Sequence, residues 1–449
     1  MSMYKKSIAL ILGVCLLASA ALTGCSSAKS SSSNPASGST APVTIQVYSW
    51  EASLQVQNDC VVRAYELLHP NVKVVFNYPV QNDNVAYTAK MKMLLLSGQA
   101  IDAMMESSVA NTITNAMNQT YLPLDPFIAK EGVKFGDIYN ASAQYKSKNY
   151  GLPIDVSPWF VMINKSMLDK ASLAVPSPDW TWDDYKTYAT KMTSGSGLNK
   201  IYGSYFHTFQ NYDLMGVYST KMDNAYYKAD GTLNFGDPNL KSWLQFRNDL
   251  ENVSKVSVPL TDIVSSKLAY RNEYFGQKVA MVPTGAWMLA EIKDATKWPH
   301  DFQTVFAPLP KFGADGVAGR TFCDTKMMSI PTVSKNPDAA YNFIRYYTSD
   351  GANIRAGGIP ALKSAKMDTI LSTIVGSSPD KLYDMKSLNA IFNNPKLQYN
   401  TPMMTPVYNS QIDSMFVSEC QKYLTGGEDI NACISNLQSQ GSAIVKSAS

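Results

Sequence analysis

Trp50-Glu51, Glu106 and Gly285-Ala286-Trp287 are the groups best placed to do chemistry. Each stands where an apolar, strand-like run gives out: Val43 to Tyr48 before Trp50, Ile101 to Met105 before Glu106, and Val279-Ala280-Met281-Val282-Pro283 before Gly285. In open α/β sheets, ligands collect beyond the carboxyl ends of the strands. Carboxylates accept hydrogen bonds from hydroxyls, and an indole face covers C–H surface. Such groups suit a ligand with many hydroxyls and an apolar ring face. Pro283 is expected to end its strand, Gly285 to let the backbone turn and Ala286 to keep the approach uncrowded. Trp287 then opens a helix whose backbone N–H groups face the ligand. Plainer uses exist for the same residues: a strand-end carboxylate caps helices, and tryptophans fill cores. Trp180, Trp182, Trp243 and Trp298 read as packing, and Tyr205 and His207, in a Gly-flanked aromatic stretch, are secondary candidates.

The elements that hold these groups alternate. After the first strand, Leu54, Val61, Ala64 and Leu68 recur at helical spacing until Pro70;. Val72 to Phe76 is a second strand, Val85 to Leu96 a helix closed by Gly98, and Ile101 to Met105 a third strand;. A β-α-β-α-β run predicts an α/β fold with a mostly parallel sheet covered by helices. A second lobe follows, with a strand-like run from Trp159 to Asn164. Thr181 caps a helix with Asp184 at its third position, and a later helix begins near Pro337 with Ala340, Phe343 and Tyr347 on one face;.

Several function classes are disfavoured. The formal charge of the 449-residue chain is +3 with no basic cluster, which argues against nucleic acid;. His69, His207 and His300 are widely separated, no spacing resembles a zinc site, and no phosphate loop or nucleophile elbow occurs;. No cofactor or metal is expected. Cys420 and Cys433 flank the turn Thr425-Gly426-Gly427-Glu428. Sequence leaves two states open for the later cysteines: a hairpin bridge there, or free thiols at Cys60, Cys323, Cys420 and Cys433.

The amino terminus reads as an address. Lys5 and Lys6 precede an apolar run, Ile8 to Leu17, too short to span a bilayer;. Leu22-Thr23-Gly24-Cys25 resembles a bacterial lipobox. That resemblance implies a signal peptide over residues 1–24, cleavage before Cys25 and a diacylglycerol thioether on its sulfur. Residues 25–42, mostly Ser, Ala, Gly and Pro, form a flexible tether;.

In order, Tyr87 to Asp102, Leu122-Pro123-Leu124-Asp125, Gly151-Leu152-Pro153, Trp180-Thr181-Trp182-Asp183-Asp184, Phe275 to Met281 with Gly285-Ala286-Trp287, Ala307-Pro308-Leu309-Pro310, Ser334-Lys335-Asn336 and Gly358-Ile359-Pro360-Ala361 span almost the whole mature chain. With the lipobox, this series resembles the extracellular solute-binding proteins of bacterial ATP-driven importers, in their carbohydrate-binding branch. The resemblance implies a two-lobed periplasmic-binding-protein-like fold. Residues 43–154 and 323–354 would form the amino-terminal lobe, and residues 155–322 and 355–449 the carboxy-terminal lobe. It implies hinge closure on a sugar or oligosaccharide, delivery to the permease of an ABC importer, a monomer, and lipid anchoring at the outer face of the membrane.

It also places Asp155 and Trp159 at a first crossing between lobes, Arg320 and Asp324 at a second, and Gly357-Gly358 at a third. Trp287 falls at the family's stacking position, with its indole pushed out over the cleft. Two other readings remain at this stage. A secreted glycoside hydrolase would need two carboxyls roughly 5–10 Å apart. A ferric-iron-binding relative would use adjacent tyrosines, for which Tyr226-Tyr227 and Tyr346-Tyr347 are the pairs at hand.

Overall fold

The computed structural model describes residues 42–220, 225–228, 230–377, 379–400, 406 and 408–448. The signal peptide, Cys25 and residues 26–41 of the tether lie outside the described residues.

Twelve strands occur among the described residues: β1 (Val43–Tyr48), β2 (Val72–Asn77), β3 (Ala103–Glu106), β4 (Gln144–Tyr145), β5 (Lys148–Asn149), β6 (Leu152–Asn164), β7 (Tyr202–Ser204), β8 (Val279–Gly285), β9 (Thr304–Pro308), β10 (Arg320–Ser329), β11 (Ile359–Pro360) and β12 (Gln398–Asn400). The main sheet runs β2-β1-β3-β10-β6-β8-β7, with β9 and β11 also on β6 and β12 on β10; β4 and β5 pair separately. β1 pairs parallel with β2 and β3, and β7 with β8. Helices Gln55–Leu68 and Asn84–Leu96 make the crossovers between the first three strands. In β1, Ile45 and Val47 are buried while Thr44 is exposed, the alternation expected of a half-covered strand;.

The two lobes meet along β6 and β10. All thirteen residues of β6 are buried, and its second half, from Trp159 to Ile163, reads as an unbroken apolar run;. Its first half pairs antiparallel with β10 and β11, its second with β8 and β9. The change of partner falls at Pro158 and Trp159: Pro158 opposes Cys323 of β10, and Trp159 opposes Gly285 of β8. Proline, with no N–H to give a ladder, suits that switch point. Leu152 and Ile154 enter one core with Ile45, Val47, Tyr65, Phe343 and Tyr347. Phe160 and Met162 enter a second with Val282 and Phe306, and Trp159, Val161 and Ile163 a third with Trp182, Phe206 and Trp243.

The capping box expected at Thr181 and Asp184 is present, opening helix Trp182–Met192. Ala340, Phe343 and Tyr347 are buried on helix Pro337–Tyr347. Pro283, by contrast, does not end its strand. It lies inside β8 opposite Val161, and its carbonyl accepts from the Tyr212 hydroxyl at 2.7 Å. β7 accompanies β8 only from Val279 to Met281, so Pro283 sits where the strand has one open edge;. Tyr226 and Tyr227 are buried in the second core, and Tyr347 in the first.

Candidate functional site

Residues two apart on a strand share a face. On β6 this groups Asp155, Ser157 and Trp159; on β10 it groups Phe322, Asp324 and Lys326. The register sets Asp155 opposite Lys326 and Ser157 opposite Asp324. One strip of sheet therefore runs from an ionic end to an aromatic end.

At the ionic end, Lys326 Nζ lies 2.8 Å from Asp155 and 2.6 Å from Glu51. Arg355 pairs with Asp155 and stands 3.9 Å from Glu51. Glu51 arrives from the turn after β1, and Arg355 from the end of helix Asp350–Arg355, where its guanidinium packs 5.4 Å from the Tyr347 ring centre. Gly358 seats the Asp155 carboxyl: a Cβ there would come within 2.8 Å of an Asp155 oxygen. Burial pushes the Asp155 carboxyl upward, but the Arg355 and Lys326 charges prevail and hold it below its usual range;. Two cations face two anions, so the cluster is close to neutral.

At the aromatic end, Trp159 is edge-on to Tyr212, Phe322 and Trp287, with ring centres 5.2, 4.9 and 5.4 Å away. Its indole N–H donates to Asp324 at 2.7 Å. Burial pushes the Asp324 carboxyl up to about 6, against the bonds from Trp159 and Asn211. Trp287 is half-buried and donates through Nε1 to the Tyr270 hydroxyl at 3.0 Å. Phe209 is 41% exposed and meets His207 at 4.7 Å between ring centres; His207 lies 5.4 Å from Tyr270. Arg271 covers Tyr270 at 4.6 Å and pairs with Glu291 at 2.7 Å. Burial, with Arg247 and Arg271 nearby, pushes the His207 imidazole down to about 4, so it is neutral at pH 7.

Trp287 departs from its expected pose. Its indole folds back over Gly285 rather than projecting freely: a Cβ on Gly285 would lie within 2.6 Å of three indole atoms. Gly285 thus supplies room for the ring. The Ala286 N–H is taken by the Pro158 carbonyl at 3.1 Å and is not open to a ligand.

The structure brings Trp159, Gly285, Ala286, Trp287 and Asp324 together, and joins Glu51 to Asp155. Three candidates stand apart. Trp50 is half-buried with its ring 5.3 Å from Tyr87. Glu106 is buried and accepts from Tyr121 and from Asn115, the latter at 2.7 Å; burial pushes its carboxyl up to about 7. Arg320 donates to the Thr220 carbonyl at 2.6 Å. Lys326, Arg355, Phe209 and Tyr270 escaped the sequence reading. Arg355 stands two residues before the glycine pair already noted, and Phe209 two after His207; those were the available signals.

The family profile described as bacterial extracellular solute-binding protein matches residues 49–354. Among solved structures, the chain is similar to an ABC substrate-binding protein from Listeria monocytogenes in complex with cycloalternan, at 20% identity and TM-score 0.72, covering 90% of this chain and 99% of that one. It is similar to the maltose/maltodextrin-binding domain from Bdellovibrio bacteriovorus bound to maltotriose, at 17% identity and TM-score 0.70, covering 90% and 100%. It is also similar to UgpB from Mycobacterium tuberculosis in complex with glycerophosphocholine, at 15% identity and TM-score 0.72, covering 91% and 99%. At these identities the likeness concerns the two-lobed α/β fold.

Proposed function

The chain belongs to the bacterial extracellular solute-binding proteins, and from that membership we propose that it captures a sugar or oligosaccharide between its lobes and delivers it to the permease of an ABC importer. The observation that carries this reading is the strip along β6 and β10. Its aromatic end offers ring surface for the C–H faces of a pyranose, and its ionic end offers hydrogen-bonding groups for hydroxyls. Because the four charges of the ionic end balance, an uncharged polyhydroxylated ligand suits it better than an anion.

In this reading Glu51 and Asp155 serve the hydroxyls, Trp159 and Trp287 the ring faces, and Asp324 a hydroxyl between them. Gly285 and Ala286 shape the floor, while Trp50, Glu106 and Arg320 are held by other partners. Residues 43–154 with 323–354, and 155–322 with 355–449, are the two lobes. Ligand touching both favours the closed state over the open one, which gives the permease a signal to read. Cys25 carries the lipid that keeps the protein at the extracellular face of the membrane. Binding rather than turnover is the proposed task, because Lys326 and Arg355 engage both Glu51 and Asp155, so these two carboxyls are held in ion pairs and not set across from each other as an acid and base pair;.

A thermal-shift screen of the mature protein against mono- and oligosaccharides, with glycerophosphodiesters alongside, tests this. A ligand at about 100 times its dissociation constant adds about 2.7 kcal/mol to stability. A shift with a phosphodiester and none with any sugar would overturn the sugar reading.

A further inference from the structure

The carboxy-terminal hairpin carries a pair of sulfurs that sugar capture does not use. Helix Asn409–Leu424 and helix Ile430–Ala448 are joined by a short turn in which Gly426 takes φ +83°. Cys420 lies in the last turns of the first helix and Cys433 in the first turn of the second, both fully buried in the same core. The Cys433 thiol donates to the carbonyl of Glu419, the residue next to Cys420, at 3.7 Å, and it lies close enough to Cys420 to act directly on that thiol. Polar contacts fix the two helices in that register. Glu419 accepts from Asn436 at 2.8 Å and from Gln440 at 3.1 Å, and Glu428 accepts from Asn436 at 2.8 Å. The other two described cysteines lie elsewhere, Cys60 exposed on helix Gln55–Leu68 and Cys323 within β10.

We propose that Cys420 and Cys433 form a disulfide site, oxidised in the exported protein to an S–S bond that staples the carboxy-terminal hairpin. The proposal rests on the extracellular reading, since thiols persist in the cytosol and disulfides outside it. The two S–H bonds are lost as two protons and two electrons and one S–S bond forms. The electrons reduce a disulfide-bearing oxidant, a protein or small-molecule disulfide, to two thiols by exchange. The attacking species is a thiolate, and burial holds the Cys420 thiol well above its ordinary range;. Exchange therefore belongs to the time before the hairpin docks, and the docked pair keeps the state in which it folded. The closed loop is short, and its cross-link removes freedom from the unfolded chain.

The test is the pairing state of the full chain as exported by a bacterial host. Denaturation in iodoacetamide without reductant, digestion and mass spectrometry are expected to give Cys420 and Cys433 in one cross-linked peptide, with Cys60 and Cys323 alkylated. A second arm unfolds and reduces the same protein and refolds it in a glutathione redox buffer. Alkylation of Cys420 and Cys433 in both arms, or linkage of either to Cys60 or Cys323, overturns the proposal. A link in the refolded protein alone overturns oxidation in the exported protein, whereas recovery of the chain from the cytosolic fraction and not from the exported one would overturn the extracellular reading instead. Oxidised protein is further expected to melt a few degrees above its reduced form, a difference absent from Cys420→Ser/Cys433→Ser. Should that variant fail to fold, the two redox states of the unaltered chain still give the comparison.

Discussion

Gly285→Ala is the smallest change that probes the aromatic end of the strip. A Cβ there would lie within 2.6 Å of three indole atoms of Trp287, whereas ordinary contact begins near 3.4 Å. The ring must then retreat by about 1 Å. That movement lengthens the 3.0 Å bond from Trp287 to Tyr270 and disturbs the edge-on contact with Trp159. Overpacking costs about 1–3 kcal/mol and a weakened hydrogen bond about 0.5–1.5 kcal/mol. Gly285→Ala is thus expected to destabilise the unliganded protein by roughly 2–4 kcal/mol. Loss of ring position should weaken sugar binding by about ten- to a hundredfold. The decisive measurement is a double-mutant cycle with Trp287→Ala, read by urea denaturation and by calorimetric titration. Once the indole is gone the methyl group meets no ring, and Gly285→Ala should become nearly silent. An equal cost in both backgrounds would refute the reasoning, because the clash would then lie with the backbone and not with Trp287.

Glu106 titrates higher in the fold than in the unfolded chain, so the native state holds an extra proton between 4.5 and about 7. Stability should fall as pH rises across that window and level off above it, by up to roughly 3 kcal/mol. Denaturation midpoints of Glu106→Gln, measured from pH 4.5 to 7.5, should lack that decline. Arg355→Met leaves Asp155 and Glu51 facing Lys326 alone and should cost about 3–5 kcal/mol in chemical denaturation, with a smaller added cost in an Asp155→Asn background;. Cys25→Ala should move the protein from the membrane fraction to the medium, read by fractionation, since it removes the two acyl chains that hold a diacylglycerol-modified protein at a bilayer.

Local signals in the chain foretold local structure well. The alternation of Val43 to Tyr48, the Thr181–Asp184 capping box and the stop at Gly98 are set by neighbours a few residues away, and the structure keeps them. The Trp287 pose was not legible, because it depends on Tyr270 and Trp159, seventeen and 128 positions distant. Pro283 misled because the open edge of β8 is a property of sheet order, invisible in a single strand. Asp155 could be singled out as an acid near a crossing. That it would be clasped by Lys326 and Arg355 required the register of β10 and the fold of helix Asp350–Arg355.

The sharing of β6 between both lobes bears on how the molecule comes apart. A strand buried along its whole length, pairing with one set of neighbours up to Pro158 and another from Trp159, cannot be surrendered by one lobe without stripping the other. Unfolding is therefore expected to be a single cooperative event, with no half-molecule surviving it. A protease that cuts in the exposed loops should find nicked but intact protein, and genes split near residue 155 should yield fragments that fold only when expressed together.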